Sequence, residues 1–297
     1  MLQSNTPTEE ILPKNIKVWV LAPFISTDDA NLDYYYDFSQ SIAEYTQTFA
    51  TLNIPWQWQP VTLDSLENVI QQIVQEQIKG DTVPIVLNIC DGDEINGTPG
   101  ISVVQLLESN KLIYTGADAF FYEITTSKIP MKKAFDAAQI ATPKWEAIYN
   151  KHQDISGIFD RLGSPIIIKP AVSGGSMGVG IKNVVNDEAT LKIRIAEMFE
   201  GYRGWNLSSG GLIAEAFIAG AEYTGFISGT GTLAIVYEPV QRIFHQSLPE
   251  EEKFLSFDRL WEIYEEESPM PEAANFYDYA KVDTHISSSI QSLCLQA

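Results

Sequence analysis

Residues 166–185, IIIKPAVSGGSMGVGIKNVV, constrain the fold more than any other stretch of the chain. Two β-branched runs, 166–168 and 179–185, flank a serine- and glycine-rich loop, which reads as strand, loop, strand: a hairpin. Lys169 closes the first run, just before Pro170, where a compact ammonium can face an anion under the hairpin. Glycines stand at 174, 175, 178 and 180, with Ser173 and Ser176 among them. Glycine lets backbone N–H groups approach phosphate oxygens, and such turns make anion-binding concavities. Two other phosphate loops are excluded by spacing. The P-loop pattern fails because Gly175 and Gly180 are followed by Ile181, Lys182 and Asn183, and no helix opens there. The dinucleotide fingerprint fails because the glycine order is 175, 178, 180. From this stretch alone two readings stand, an anion-cradling lid and a flexible hairpin with no ligand.

Composition narrows the ligand. The chain has 297 residues, which predicts two or three domains. It is 45% hydrophobic and 20% charged, as ordinary soluble globular proteins are. With Lys+Arg 19 against Asp+Glu 39, the net charge of −20 argues against nucleic-acid or anionic-membrane partners. An anionic ligand then needs a local basic pocket. Cys90 and Cys294 make no disulfide framework, which suits a reducing, cytoplasmic compartment. The polar leader, residues 1–15, carries acids and no apolar core, so it is not a signal peptide. No apolar run reaches the length of a membrane span.

The elements alternate. Residues 16–21, 55–63 and 83–89 read as strands, with Trp56 and Trp58 on one face of the second. Helical spacing covers 34–52, 64–79 (Asp64 as cap, Gly80 as stop) and 101–109, and a short strand follows at 112–115. Alternation of this kind predicts a parallel sheet with helices on both faces. The loop 91–100 lies beyond a strand's carboxyl end, where such sheets take ligands. Residues 118–140 read as helical, with Pro130 marking a break or the first turn of a second helix. Further helices are expected at 152–162 and 186–200, strands at 146–149, 211–217, 221–228 and 232–237, an acidic irregular stretch at 254–267, and a helix-like pattern at 280–297. That last pattern has no capping glycine or basic final turn, which predicts a chain cut short.

Six short motifs now stand in order: Thr125-Thr126-Ser127-Lys128; Ile168-Lys169-Pro170; the Gly/Ser loop; Ala214-Glu215-Ala216-Phe217-Ile218; Gly220-Ala221-Glu222-Tyr223-Thr224; and the run 271–281, PEAANFYDYAK. Together they resemble the ATP-grasp superfamily, most closely its D-alanine–D-alanine ligase-like branch, over about residues 85–281. The resemblance implies an α/β fold: a parallel-sheet substrate-side domain (1–117), a small ATP-grasp lobe with a glycine-rich lid (118–218) and an incomplete large lobe (219–297). It implies ATP as cofactor. Lys128 and Lys169 resemble the lysine pair that holds its phosphates, and Glu215, Ala216, Phe217 and Ile218 the hinge that meets adenine. Glu222 resembles the acid on the ribose hydroxyls, and Gly174, Gly175 and Ser176 the lid, with Ser176 as a hydroxyl donor. Lys281 resembles a third lysine at the γ-phosphate. The implied activity is carboxylate–amine ligation through an acylphosphate on an amino-acid or peptide-like substrate, with a homodimer as the assembly it allows; the alternative is an ATP-binding module without ligase activity.

Phosphoryl transfer needs charge neutralisation around a triphosphate more than covalent chemistry. Each lysine also has a plain reading as a solvated charge at a helix end. Glu215 is less plain, because an unpaired carboxylate in an apolar strand is costly.

Two departures matter. The family's Mg²⁺ ligands, an Asp and then a Glu and an Asn, have no match after Lys281, so Mg²⁺ is expected of the family while its ligands are missing from the sequence. The N-terminal Gly-rich turn that meets the first substrate is not evident at 22–33, and Cys90-Asp91-Gly92-Asp93 replaces a family histidine. Asp91, Asp93 and Glu94 lack the calcium-loop pattern. They read as a loop for a substrate amino group or as a solvated acidic turn. His152, His245 and His285 lack zinc spacing, and Cys90 reads as a buried small residue.

Overall fold

The computed structural model describes residues 15–25, 37–202, 204–270 and 274–297. The expected leader, most of 22–33, the start of the 34–52 helix and the first residues of the 271–281 motif lie outside the described residues. The chain divides into two compact units, Met1–Glu123 and Ile124–Ala297.

The first unit is built on a parallel sheet of β1 (Ile16–Pro23), β2 (Trp56–Val61), β3 (Val83–Asn88) and β4 (Ile113–Tyr114), in the order β2-β1-β3-β4. Helices α1 (Ser39–Leu52), α2 (Leu66–Lys79) and α3 (Ile101–Ser109) alternate with the strands as expected, and α4 (Ala119–Thr125) follows. Leu21, Val61, Ile70, Ile73, Val86, Val103 and Leu107 form one buried core. Each such side chain stabilises the fold by about 1.5–3 kcal/mol when fully buried. Trp56 and Trp58 share a face and pack on α1, with the Trp56 ring 5.4 Å from Phe49 and the Trp58 ring 6.3 Å from Tyr45. The helix α2 stops at Gly80, whose φ of 74° is left-handed. Its cap is one residue later than expected: Ser65, not Asp64, occupies the N-cap. Thr62 N donates to Ser65 Oγ (2.9 Å) and Ser65 N to Thr62 Oγ1 (3.1 Å), closing a reciprocal turn.

The second unit carries antiparallel sheets. One has the order β5-β8-β6-β7, from β5 (Trp145–Ile148), β6 (Ile166–Pro170), β7 (Val184–Val185) and β8 (Leu212–Ala216). Helix α5 (Lys128–Ala137) precedes it, and Pro130 falls in the first turn of α5, where its missing N–H costs nothing. Helices α6 (Ile158–Leu162) and α7 (Glu188–Glu200) lie within this part of the chain, and α7 is capped by Asp187, which accepts from Thr190 N at 2.8 Å. A second sheet, order β13-β12-β9, joins β9 (Glu222–Thr224), β12 (Val240–Phe244) and β13 (Tyr277–Lys281). A two-stranded ribbon pairs β10 (Ile227–Ser228) with β11 (Ile235–Val236), helix α8 (Phe257–Trp261) lies in the 254–267 stretch, and α9 (Thr284–Gln296) ends the chain.

Further local expectations change: the strand expected at 221–228 splits into β9 and β10, and that at 232–237 shortens to β11. The second arm of the hairpin is a strand only at Val184–Val185. Before it, Ile181–Asn183 forms a 3₁₀ turn because the buried Asn183 side chain takes the place of the ladder. Its Nδ2 donates to Ile168 O (2.6 Å) and Gly178 O (3.0 Å), and its Oδ1 accepts from Gly180 N (2.9 Å). The helix expected at 152–162 shortens to Ile158–Leu162. Asn150 and Asp154 instead form Asx turns with His152 N and Ser156 N, each at 3.0 Å, and Gly157 is left-handed at 69°. The strand β12, VQRIF, was not expected from its mixed pattern.

Candidate functional site

Helix α5 opens with Ser127 at its N-cap and carries Lys128 and Lys132 four residues apart, hence on one face. Lys128 N donates to Ala171 O at 2.8 Å, which ties the helix start to the end of β6. Its ammonium reaches Ser173 O (3.1 Å) and Ser173 Oγ (3.3 Å) at the base of the glycine loop. In the neighbouring sheet Ile167 pairs with Glu215 and Lys169 with Ile213, so Lys169 and Glu215 are diagonal neighbours on one face. Glu215 is buried and bridges two lysines: Oε1 lies 2.6 Å from Lys132 Nζ, and Oε2 lies 2.5 Å from Lys169 Nζ. Lys132 also donates to Thr142 Oγ1.

The electrostatics follow from this crowding. Burial pulls the Glu215 carboxyl upward, but Lys169 and Lys132 outweigh it and hold it below its ordinary value. Lys128 is pushed down to about 8, first by burial and then by the charge of Lys169, with Glu215 partly offsetting both. Three lysines around one committed carboxylate leave a net positive cluster, although the whole chain carries −20. Such a cluster can take a polyanion; Glu215 itself is not a free base. Sequence reasoning found Lys128, Lys169 and Glu215 but missed Lys132. The i, i+4 spacing from Lys128 was the signal that could have found it.

The glycine loop is braced from beneath. Gly178 is left-handed at φ 72°, and a Cβ there would stand 2.6 Å from Leu207 Cδ1. Ser176 donates from Oγ to Leu255 O (2.7 Å), Trp261 Nε1 donates to Gly175 O (2.7 Å), and Phe257 N to Val179 O (2.8 Å). Gly174 and Gly175 remain exposed. The stretch expected to be acidic and irregular is thus a docked element with buried charge. Arg259 pairs with Glu252 (2.6 Å) and Glu267 (3.3 Å), and Ser256 Oγ donates to Glu267 Oε2 (2.6 Å). Glu267 Oε1 then accepts from Ile181 N at 3.0 Å. Alternating-pattern analysis cannot see this, because the acids are buried through tertiary pairing.

The hinge residues span the end of β8 and the two residues after it. Ala216 N donates to Lys144 O (2.9 Å) and Phe217 N to Pro165 O (3.0 Å). The Phe217 ring meets Phe254 edge-on at 6.1 Å, and Ile218 is exposed. Glu222 and Lys281 lie in the other sheet. Glu222 is opposite Arg242, with which it forms an ion pair, and Lys281 is opposite Val240 and exposed.

In the first unit, Asp93 and Glu94 of the 91–100 loop are used locally, while Asp91 is exposed. Glu94 Oε1 accepts from Gly100 N (3.0 Å), Ser102 N (2.7 Å) and Ser102 Oγ (2.5 Å), capping α3. Asp93 accepts from Asn96 N (2.9 Å) and its Nδ2 (2.8 Å). Cys90 is fully buried, and burial pushes its thiol up to about 12. Among the described residues no group of three or more His, Cys, Asp or Glu side chains is gathered as a metal centre. Glu215 is spoken for by its lysines, so it is not available to the Mg²⁺ that the resemblance implies. Nor, among the described residues, is any helix long and apolar enough to cross a membrane.

No family model matches the chain. It is 30% identical over 152 residues to the D-alanine–D-alanine ligase of Xanthomonas axonopodis pv. citri (strain 306), covering 50% of this chain and 44% of that protein. The chain spans about half the length of the curated relatives it matches. Among solved structures, the VanG D-Ala:D-Ser ligase from Enterococcus faecalis shares the fold with a TM-score of 0.62 at 17% identity, over 95% of this chain and 82% of that one. The D-alanine–D-alanine ligase from Bacillus anthracis, complexed with ATP, gives 0.57 at 16% identity, over 94% and 76%.

Proposed function

For a chain with an ATP-grasp fold and D-alanine–D-alanine ligase-like sequence, we propose the function of an ATP-dependent carboxylate–amine ligase. The observation that carries this reading is the lysine cluster around Glu215, set against a braced glycine loop. Lys128 and Lys169 hold the nucleotide's phosphates, Lys132 keeps Glu215 anchored, and the exposed Gly174 and Gly175 cover the triphosphate with backbone N–H groups. The hinge 215–218 receives the adenine, Glu222 the ribose, and Lys281 the γ-phosphate. The γ-phosphoryl group passes to a substrate carboxylate oxygen, leaving ADP and an acylphosphate. An amine nitrogen then attacks the acyl carbon, and inorganic phosphate leaves as the amide forms. The chain's contribution is positioning and charge neutralisation. D-alanine is the first substrate to try, in a cytoplasmic protein, and a homodimer is the assembly proposed with it. Residues 118–218 serve as the small lobe, and 219–297 as part of the large one.

The test is phosphate release from ATP by the intact chain, with and without D-alanine. Release that requires both, and that Lys169→Met abolishes, supports the reading. ATP binding without D-alanine-dependent release assigns a nucleotide-binding module instead.

A further inference from the structure

We infer that Arg242 is the positioning residue of Glu222 and thereby sets recognition of the ribose diol, an inference that rests on the nucleotide reading above. The central strand β12 places Arg242 opposite Glu222 on one side and opposite Tyr279 on the other. The next row two residues along is Thr224, Val240, Lys281. Side chains alternate along a strand, so both rows share one face, and Glu222 and Lys281 stand on the same surface with Arg242 in its middle strand.

The arginine is held from both neighbouring strands. Its Nη1 pairs with Glu222 Oε1, its Nη2 donates to Tyr279 OH at 3.2 Å, and its guanidinium lies 4.8 Å from the Tyr277 ring and 5.6 Å from the Tyr279 ring. Its side chain is 9% exposed, whereas that of Glu222 is 36% exposed. Its buried Nε has no hydrogen-bond partner. A planar guanidinium stacked on aromatic rings is pre-organised. It therefore fixes one carboxylate oxygen of a side chain that stays open to solvent. An ionised carboxylate offers about four acceptor sites. Those that Arg242 leaves open suit two vicinal hydroxyls.

The experiment is equilibrium binding of ATP and of 2′,3′-dideoxy-ATP to the intact chain, by calorimetry. The unsubstituted protein is expected to prefer ATP by about tenfold or more, the scale of hydrogen bonds to a charged acceptor. Arg242→Met is expected to bring that ratio close to one, a readout that general loss of structure would not give, because such a loss lowers both affinities alike. Arg242→Lys keeps the charge without the planar stack and gives an intermediate ratio; it also serves if the methionine variant does not fold. An unsubstituted protein without preference, or variants that keep the full ratio, overturn the inference. A protein that binds neither nucleotide removes the nucleotide reading itself.

Discussion

Replacing Glu215 by glutamine keeps the side chain's shape and removes the negative charge lying between Lys132 and Lys169. The two ion pairs are not equivalent. Lys132 is 7% exposed and Lys169 is 27% exposed. Lys169 can recover water, so the cost falls mainly on Lys132, stranded as a buried cation. Breaking a buried pair by removing one partner costs about 3–5 kcal/mol. The expected loss is therefore about 3–5 kcal/mol, which for a unit of this size lowers Tm by about 6–20 °C. The assay is urea and thermal unfolding at pH 7. The double variant Lys132→Met, Glu215→Gln must be less damaged than Glu215→Gln alone, because it strands no buried charge. A loss below about 1 kcal/mol, far under the cost of breaking a buried pair, or a double variant worse than the single one, refutes the buried-bridge argument.

Lys128 gives a pH signature. Below pH 8 it is charged in both states; between about 8 and its ordinary 10.5 only the unfolded chain keeps the proton, so stability climbs with pH across that window. Urea midpoints at pH 7.5 and 9.5 should separate more in the unsubstituted protein than in Lys128→Met. At Gly178 the left-handed backbone and the near contact with Leu207 make Gly178→Ala costly, about 1–3 kcal/mol, whereas Gly174→Ala, with open space around it, should stay within about 0.5 kcal/mol in the same melt. Glu94→Ala removes the cap on α3 and should cost the first unit about 1–2 kcal/mol in urea unfolding.

Much of the scaffold was legible because its signals are local. The β-branched runs at Ile16–Pro23, Val83–Asn88 and Ile166–Pro170 and the punctuation at Gly80 and Asp187 fix strands and helix ends within a residue or two. The parallel first sheet follows from strict alternation of strand and helix. What stayed hidden depends on distant partners. β12 shows no clean alternation, and its place comes from pairing with Glu222–Thr224 and Tyr277–Lys281. The buried Arg259 and Glu267 read as surface acid and base until the fold pairs them. Of the candidate site, Lys128, Lys169 and Glu215 lie in motifs, and the structure brings them together; Lys132 and Arg242 lie in none, and only their contacts draw them in.

Amine-reactive footprinting of the intact chain, with and without ATP, reads the lysines themselves. The account predicts that ATP slows acylation of Lys128, Lys169 and Lys281 together, while Lys79 at the end of α2 reacts unchanged. Equal labelling of all four in the presence and absence of ATP would contradict it.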